Sequence, residues 1–131
     1  AETVGPEGKV VCVDLQPKMI EALQRRASKA GVLDRIDHRV CDKNGRGLDD
    51  LGEKIDFALA FAIVHEVPDA ESFFKQVHAA LRQGGTCLLA EPKGHVSEKR
   101  FEETIATAQR AGFEVIGRPE VFRSRTALLN R

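Results

Sequence analysis

The sequence has no excess of charge of either sign. Over 131 residues, 20 Lys and Arg stand against 20 Asp and Glu. The basic stripe that tracks a phosphate backbone or an anionic membrane is therefore lacking, and neither nucleic acid nor membrane is expected as a partner. No apolar run is long enough to cross a bilayer, and the first residues show none of the charged, apolar and cleavage-site regions of a secretory signal. Cysteine is scarce: Cys12, Cys41 and Cys87 are odd in number, far apart and form no Cys-x-x-Cys pair. Separated thiols at strand-like positions read as buried packing residues in a reducing, cytoplasmic setting, with no metal site. The remaining composition, 42% hydrophobic, is that of one globular domain over residues 1–131 with a real core.

The chain is organised around Lys9-Val10-Val11-Cys12-Val13-Asp14-Leu15-Gln16-Pro17. Four apolar residues, three of them β-branched, followed by a lone acid, predict a buried parallel strand with a carboxylate at its carboxyl end. In doubly wound sheets ligands bind there, and an acid at the tip of the second strand accepts hydrogen bonds from both hydroxyls of a ribose. Asp14 is thus the first candidate site residue. The glycine-rich turn that accompanies such an acid lies about 20 residues upstream, ahead of Ala1. Gly5 and Pro6 instead suggest a helix end turning into the strand, so the sequence reads as an incomplete domain lacking its first strand and most of its first helix.

Ile20, Leu23, Ala27 and Ala30 recur at helical spacing after Pro17, and Gly31 closes that helix. Arg35 to Cys41 alternates like a half-exposed strand ending at Asp42, followed by a loop over residues 43–47 and at most a short helix to Leu51. Ile55 to Val64 predicts a central strand buried on both faces, with Asp56 structural at its start. Asp69 is a plausible N-cap for a helix carrying Phe73, Phe74, Val77 and Leu81, stopped by Gly84-Gly85. Thr86 to Ala90 is another buried strand. Ser97 caps a helix running through Phe101, Ile105 and Ala108 to Gly112, before two last strands at Phe113–Ile116 and Thr126–Leu129. This alternation predicts an α/β fold: a Rossmann-like, doubly wound, mostly parallel sheet with a final antiparallel strand pair. Phe57, Phe61, Phe73, Phe74 and Phe101 are expected in its core.

Taken as a set, Gly5 to Asp14, Asp42, Ile55 to Phe61 and Leu81-Arg82-Gln83-Gly84-Gly85-Thr86-Cys87-Leu88-Leu89 resemble the class I S-adenosylmethionine-dependent methyltransferases. The small-molecule branch with ubiquinone- and menaquinone-biosynthesis-like members is the nearest. The resemblance spans the whole chain and implies S-adenosylmethionine as cofactor. It implies that Asp14 binds the ribose hydroxyls, that Asp42 binds the adenine amino group and that Leu15 and Met19 pack near the adenine. It also implies that Ala60, Phe61 and Ala62 line the methionine end.

His65-Glu66-Val67-Pro68-Asp69 fails as a zinc helix, because Asp69 replaces the second His and Pro68 breaks the helix needed to hold both ligands. As part of a substrate pocket at a strand's carboxyl end, His65 or Glu66 takes a proton from the accepting atom; the alternative is a loop whose polar groups satisfy local backbone. His38, His78 and His95 read as surface or packing residues. The Glu91–His95 loop either helps form the substrate site or simply connects two elements. Arg118, Arg123 and Arg125 read as a solvated edge.

The function expected is methyl transfer to a small molecule. A nicotinamide-dependent dehydrogenase, or a non-catalytic interaction module of the same fold, are the alternatives. Without the missing strand, Val10–Val13 and Phe57–Phe61 carry unpaired ladder edges, so they close on each other, pair with another chain in self-association, or belong to a longer protein.

Overall fold

The computed structural model describes residues 1–41 and 47–131, which form two compact units, Ala1–Gly47 and Leu48–Arg131. In the first unit β1 (Val10–Asp14) runs parallel to β2 (Ile36–Val40), with Val10 opposite Ile36 and Asp14 opposite Val40. A parallel pair needs a crossover, and α1 (Pro17–Lys29) supplies it. Pro17 fits the first helical position because its missing N–H would have had no partner there. Ile20 and Ala27, seven residues apart, are the buried face, while Arg26 and Lys29 lie in the last turn, where cations suit the helix dipole. Gly31 then turns the chain at φ 67°.

The second unit carries β3 (Ile55–Phe61), α2 (Ala70–Ala80), β4 (Leu81–Pro92), α3 (Glu98–Arg110), β5 (Glu114–Gly117) and β6 (Ser124–Asn130). The sheet order is β3-β4-β6-β5, with β3 parallel to β4 and the other two pairings antiparallel. The two helices start as expected: Asp69 accepts from Ser72 N at 3.0 Å and Ser97 from Arg100 N at 3.2 Å. Their apolar sides, with Phe74, Val77, Phe101, Ile105 and Ala108, cover Cys87 and Leu89 of β4 and Ala127 and Leu129 of β6. Fully burying Phe74 and Phe101 stabilises this unit by about 3 kcal/mol each.

Two expectations are corrected here. Strand β3 is not buried on both faces: it lies at one edge of its sheet, and Phe57, Leu59 and Phe61 are 51%, 60% and 55% exposed. Side chains alternate along a strand, so Ala58 and Ala60 take the helix-covered face and the three large residues take the other. Phe57 and Phe61 are therefore not core residues. Second, Gly84-Gly85 does not stop a helix. α2 has ended at Ala80 and Leu81 already pairs with Ile55, whereas Phe57 pairs with Thr86. The extra residues form a bulge, turned by Gly84 at φ 72°, where a Cβ on Gly85 would come within 2.9 Å of Arg82 O. Asp56 accepts from Arg82 Nε at 2.6 Å in an exposed ion pair.

Two titratable groups report on this packing. Burial pushes the Cys87 thiol up to about 12. In native protein at pH 8, Cys87 is expected to resist iodoacetamide and to label on unfolding in urea, read site by site by mass spectrometry. His78 packs edge-on against Phe113, ring centroids 5.2 Å apart, and loss of solvent and then the Arg131 charge hold its imidazole below the usual 6.5. The unfolded chain therefore takes up this proton first. Its effect on stability is absent well above pH 6.5 and grows as pH falls through 6.5 toward the lower folded-state value. Urea midpoints measured between pH 8 and 5 should fall less steeply in His78→Gln than in the parent chain.

Candidate active site

Strand β3 ends at Phe61, and the next residue, Ala62, adopts φ 52°, a conformation uncommon for residues other than glycine. Its N–H donates to Ala90 O at 2.8 Å, which carries the parallel pairing with β4 one residue past the strand. A short 3-10 turn, Val64–Glu66, follows. The first N–H groups of such a turn have no partner within it. Glu91 supplies one. Its Oε1 accepts from Val64 N at 2.7 Å and from His65 N at 3.3 Å, and its Oε2 bonds His65 Nδ1.

Glu91 is 1% exposed, and a carboxylate so buried needs donors on both oxygens. It has them. With Nδ1 donating to Glu91, the neutral His65 ring presents Nε2 as an acceptor. The His65 side chain is 14% exposed, and Nε2 lies 3.8 Å from Oε1 of Glu66, whose side chain is 70% exposed. The His95 ring stands edge-on to His65 at 5.9 Å, and Arg100 Nη2 donates to His65 O at 3.3 Å. The second unit thus presents a histidine fixed in tautomer and orientation at the carboxyl end of parallel strands, where α/β sheets bind their ligands.

The sequence reading named His65 and Glu66 as candidate bases and Glu91 only as the start of a loop that could help form the substrate site, not as the buried acid that positions His65. A signal was present: Cys87, Leu89 and Glu91 share one strand face, so an acid at the third position is directed where its two predecessors are buried. His95, read as a surface or packing residue, is the ring packed against His65.

Asp14 lies in the first unit at the end of β1. Its Oδ1 accepts from Gln16 N at 2.8 Å, the local turn that starts α1, while Oδ2 takes no hydrogen bond from the described residues. Leu15 and Met19 beside it are exposed. An acid with a free acceptor oxygen next to accessible apolar side chains suits a ribose and its base, so these residues fit the adenosine half of S-adenosylmethionine. Asp42 lies outside the described residues. In the second unit, Ala60 is buried, Phe61 is exposed and Ala62 forms the left-handed turn. No cluster of three or more metal-ligating side chains occurs among the described residues, and none of their helices is long and apolar enough to cross a membrane.

The methyltransferase domain family matches residues 1–85 of the chain. No curated protein matches its sequence. Among solved structures, the chain is similar to a SAM-dependent methyltransferase from Aquifex aeolicus, with 20% identity over 98% of this chain and 71% of that one and a TM-score of 0.81. It is similar to an S-adenosylmethionine-dependent methyltransferase from Mesorhizobium loti, with 18% identity over 95% and 81% of the two chains and a TM-score of 0.73. The cyclase SpnF is also similar, at 13% identity over 96% and 67% and a TM-score of 0.76. At such identities the neighbours establish the Rossmann-like fold, and a cyclase among them means that fold alone does not dictate methyl transfer. The family match adds what the fold leaves open: the chain belongs to the methyltransferase domain family, whose cofactor is S-adenosylmethionine.

Proposed function

We propose that the protein transfers a methyl group from S-adenosylmethionine to a small-molecule acceptor, with His65 as the general base and Glu91 as the residue that positions it. The observation that carries this reading is the buried Glu91 carboxylate bonded to His65 Nδ1. The zero net charge favours a small acceptor over a nucleic acid. The ubiquinone- and menaquinone-biosynthesis-like branch that the motifs resemble points to the same class.

When bound, S-adenosylmethionine supplies an electrophilic methyl group on a sulfonium, open to in-line displacement by an acceptor lone pair. The protein's part is to orient the acceptor and to move its proton. His65 Nε2 takes the acceptor's proton as the new bond forms, and the resulting imidazolium stays paired with Glu91 through Nδ1. Glu66 stands on the solvent side of Nε2, where it receives the proton onward. Asp14, with an oxygen left over from its own turn, is the residue that would hold the ribose of the cofactor.

Calorimetric titration with S-adenosylhomocysteine tests the cofactor half. Asp14→Ala is expected to weaken binding by about 10- to 100-fold, the loss of one or two charge-assisted hydrogen bonds. Unchanged affinity would remove Asp14 from the site. An acceptor screen for methylated product tests the other half. His65→Ala should lower kcat by about 10²- to 10⁴-fold while leaving S-adenosylhomocysteine affinity intact. Glu91→Gln keeps an acceptor oxygen for Val64 N but offers His65 an amide in place of a carboxylate. It should lower kcat and change the ¹⁵N chemical shifts of the His65 ring nitrogens, a signature that mere loosening of the loop would not produce.

A further inference from the structure

On the far side of β4 from β3, the connection between β5 and β6 borders a cavity of about 650 Å³, within the range of small-molecule sites. Its charges are not evenly matched. Arg118 is held bidentately by Glu102 at 2.6 and 2.9 Å, and the Glu98 carboxylate acts on the same guanidinium. Lys93, Arg123 and Arg125, which also line the cavity, have no ion pair among the described residues, so four cations face three carboxylates, of which Glu98 and Glu120 are bonded to none of them. Arg125 is fixed in place by its Nε bond to Val96 O at 3.0 Å.

The cavity wall carries a further unusual feature. Phe122 is 89% exposed, and the guanidinium of Arg123 stands 6.0 Å from its ring centroid. Arg123 is at φ 56°, in the left-handed region that a non-glycine residue enters only at an energetic cost. The surrounding contacts enforce it: Arg123 O accepts from Lys93 N at 3.0 Å, Ser124 N donates to Val121 O at 3.0 Å, and Thr126 Oγ1 bonds Pro119 O. A strained backbone that presents a guanidinium beside a bare aromatic ring serves no packing purpose, since the ring buries almost nothing.

We propose that this cavity binds a small aromatic acid, its carboxylate or phosphate held by Arg123, Arg125 and Lys93 and its ring laid on Phe122. Planar guanidinium groups pair with either anion in a two-point fashion, and an aromatic face adds stacking with the ligand ring. The site lies at the same sheet end as the His65–Glu91 pair, because Arg125 is the cross-strand neighbour of Glu91. It does not depend on methyl transfer, and its test needs no turnover.

The test is titration of the chain with benzoate, phenyl phosphate, benzamide and inorganic phosphate, followed by calorimetry and by backbone amide shifts. Benzoate or phenyl phosphate, whichever anion the site prefers, should bind with shifts centred on Phe122–Arg125. Benzamide, which lacks the charge, and inorganic phosphate, which lacks the ring, should each bind at least about tenfold more weakly. Phe122→Ala should weaken the preferred ligand about fivefold. Arg123→Gly should weaken it about tenfold with no loss of thermal stability, because glycine suits that φ; Arg123→Asn, which also tolerates it, repeats the test without glycine's added freedom. His65→Ala should leave binding unchanged. Equal binding of benzoate and benzamide, shifts centred elsewhere, or full affinity in both Arg123 variants would overturn the proposal.

Discussion

The structure of the second unit depends on one buried carboxylate. An ionised acid removed from water costs several kcal/mol unless donors replace its hydration. Glu91 is placed at the end of a strand whose inward positions are otherwise apolar, so its donors must come from elsewhere in the chain. They come from Val64 and His65, 27 and 26 residues earlier. The same bonds satisfy the opening N–H groups of the turn at Val64–Glu66, which would otherwise be orphaned beside the core. Acid and turn therefore need each other, and a histidine oriented at the strand end is the chemical by-product of that mutual need.

The sheet of this unit shows a second constraint. Strands with helices on both faces read as continuous apolar runs, and Ile55-Asp56-Phe57-Ala58-Leu59-Ala60-Phe61 reads that way. Yet α2 and α3 pack on the face of Ala58 and Ala60, where small side chains let the helices approach. Phe57, Leu59 and Phe61 project from the opposite face. The residue sizes record the asymmetry, although a hydrophobicity pattern alone does not.

Features set by neighbouring residues were legible in the sequence. Asp69 and Ser97 cap their helices, Pro17 opens one, Asp14 ends a strand, and the order of elements follows from periodicity. The α/β class, the final antiparallel strands and the cofactor were read from those local signals together with the family motifs. What was not legible involves partners far apart in the chain. Glu91 is a strand-end acid until Val64 and His65 are seen to meet it. Gly84-Gly85 resembles a helix stop because the same left-handed freedom that ends a helix also makes a bulge. Only the pairing of Leu81 with Ile55 separates the two uses. The arginines at 118, 123 and 125 look alike in sequence, yet one is neutralised by Glu102, sixteen residues away, and the others are not.

The distribution of backbone strain argues that the carboxyl end of β4 is where this unit is most tightly specified. Among the described residues, the non-glycine positions with left-handed backbone are Glu53, Ala62 and Arg123. Ala62 N bonds Ala90 O, one residue before Glu91, and Arg123 O accepts from Lys93 N, two residues after it. Two strained residues from different loops thus clamp the short segment 90–93 from its two sides. Strain of this kind persists only where surrounding contacts over-determine it. If β4 needed merely to end, a glycine at 62 and at 123 would do so at lower cost. At 123 the side chain kept instead sets a guanidinium beside Phe122. Rigidity at this end of the sheet is accordingly a condition for placing reactive groups, and the rest of the unit's core, from Phe74 to Leu129, is the support that makes the strained geometry tolerable.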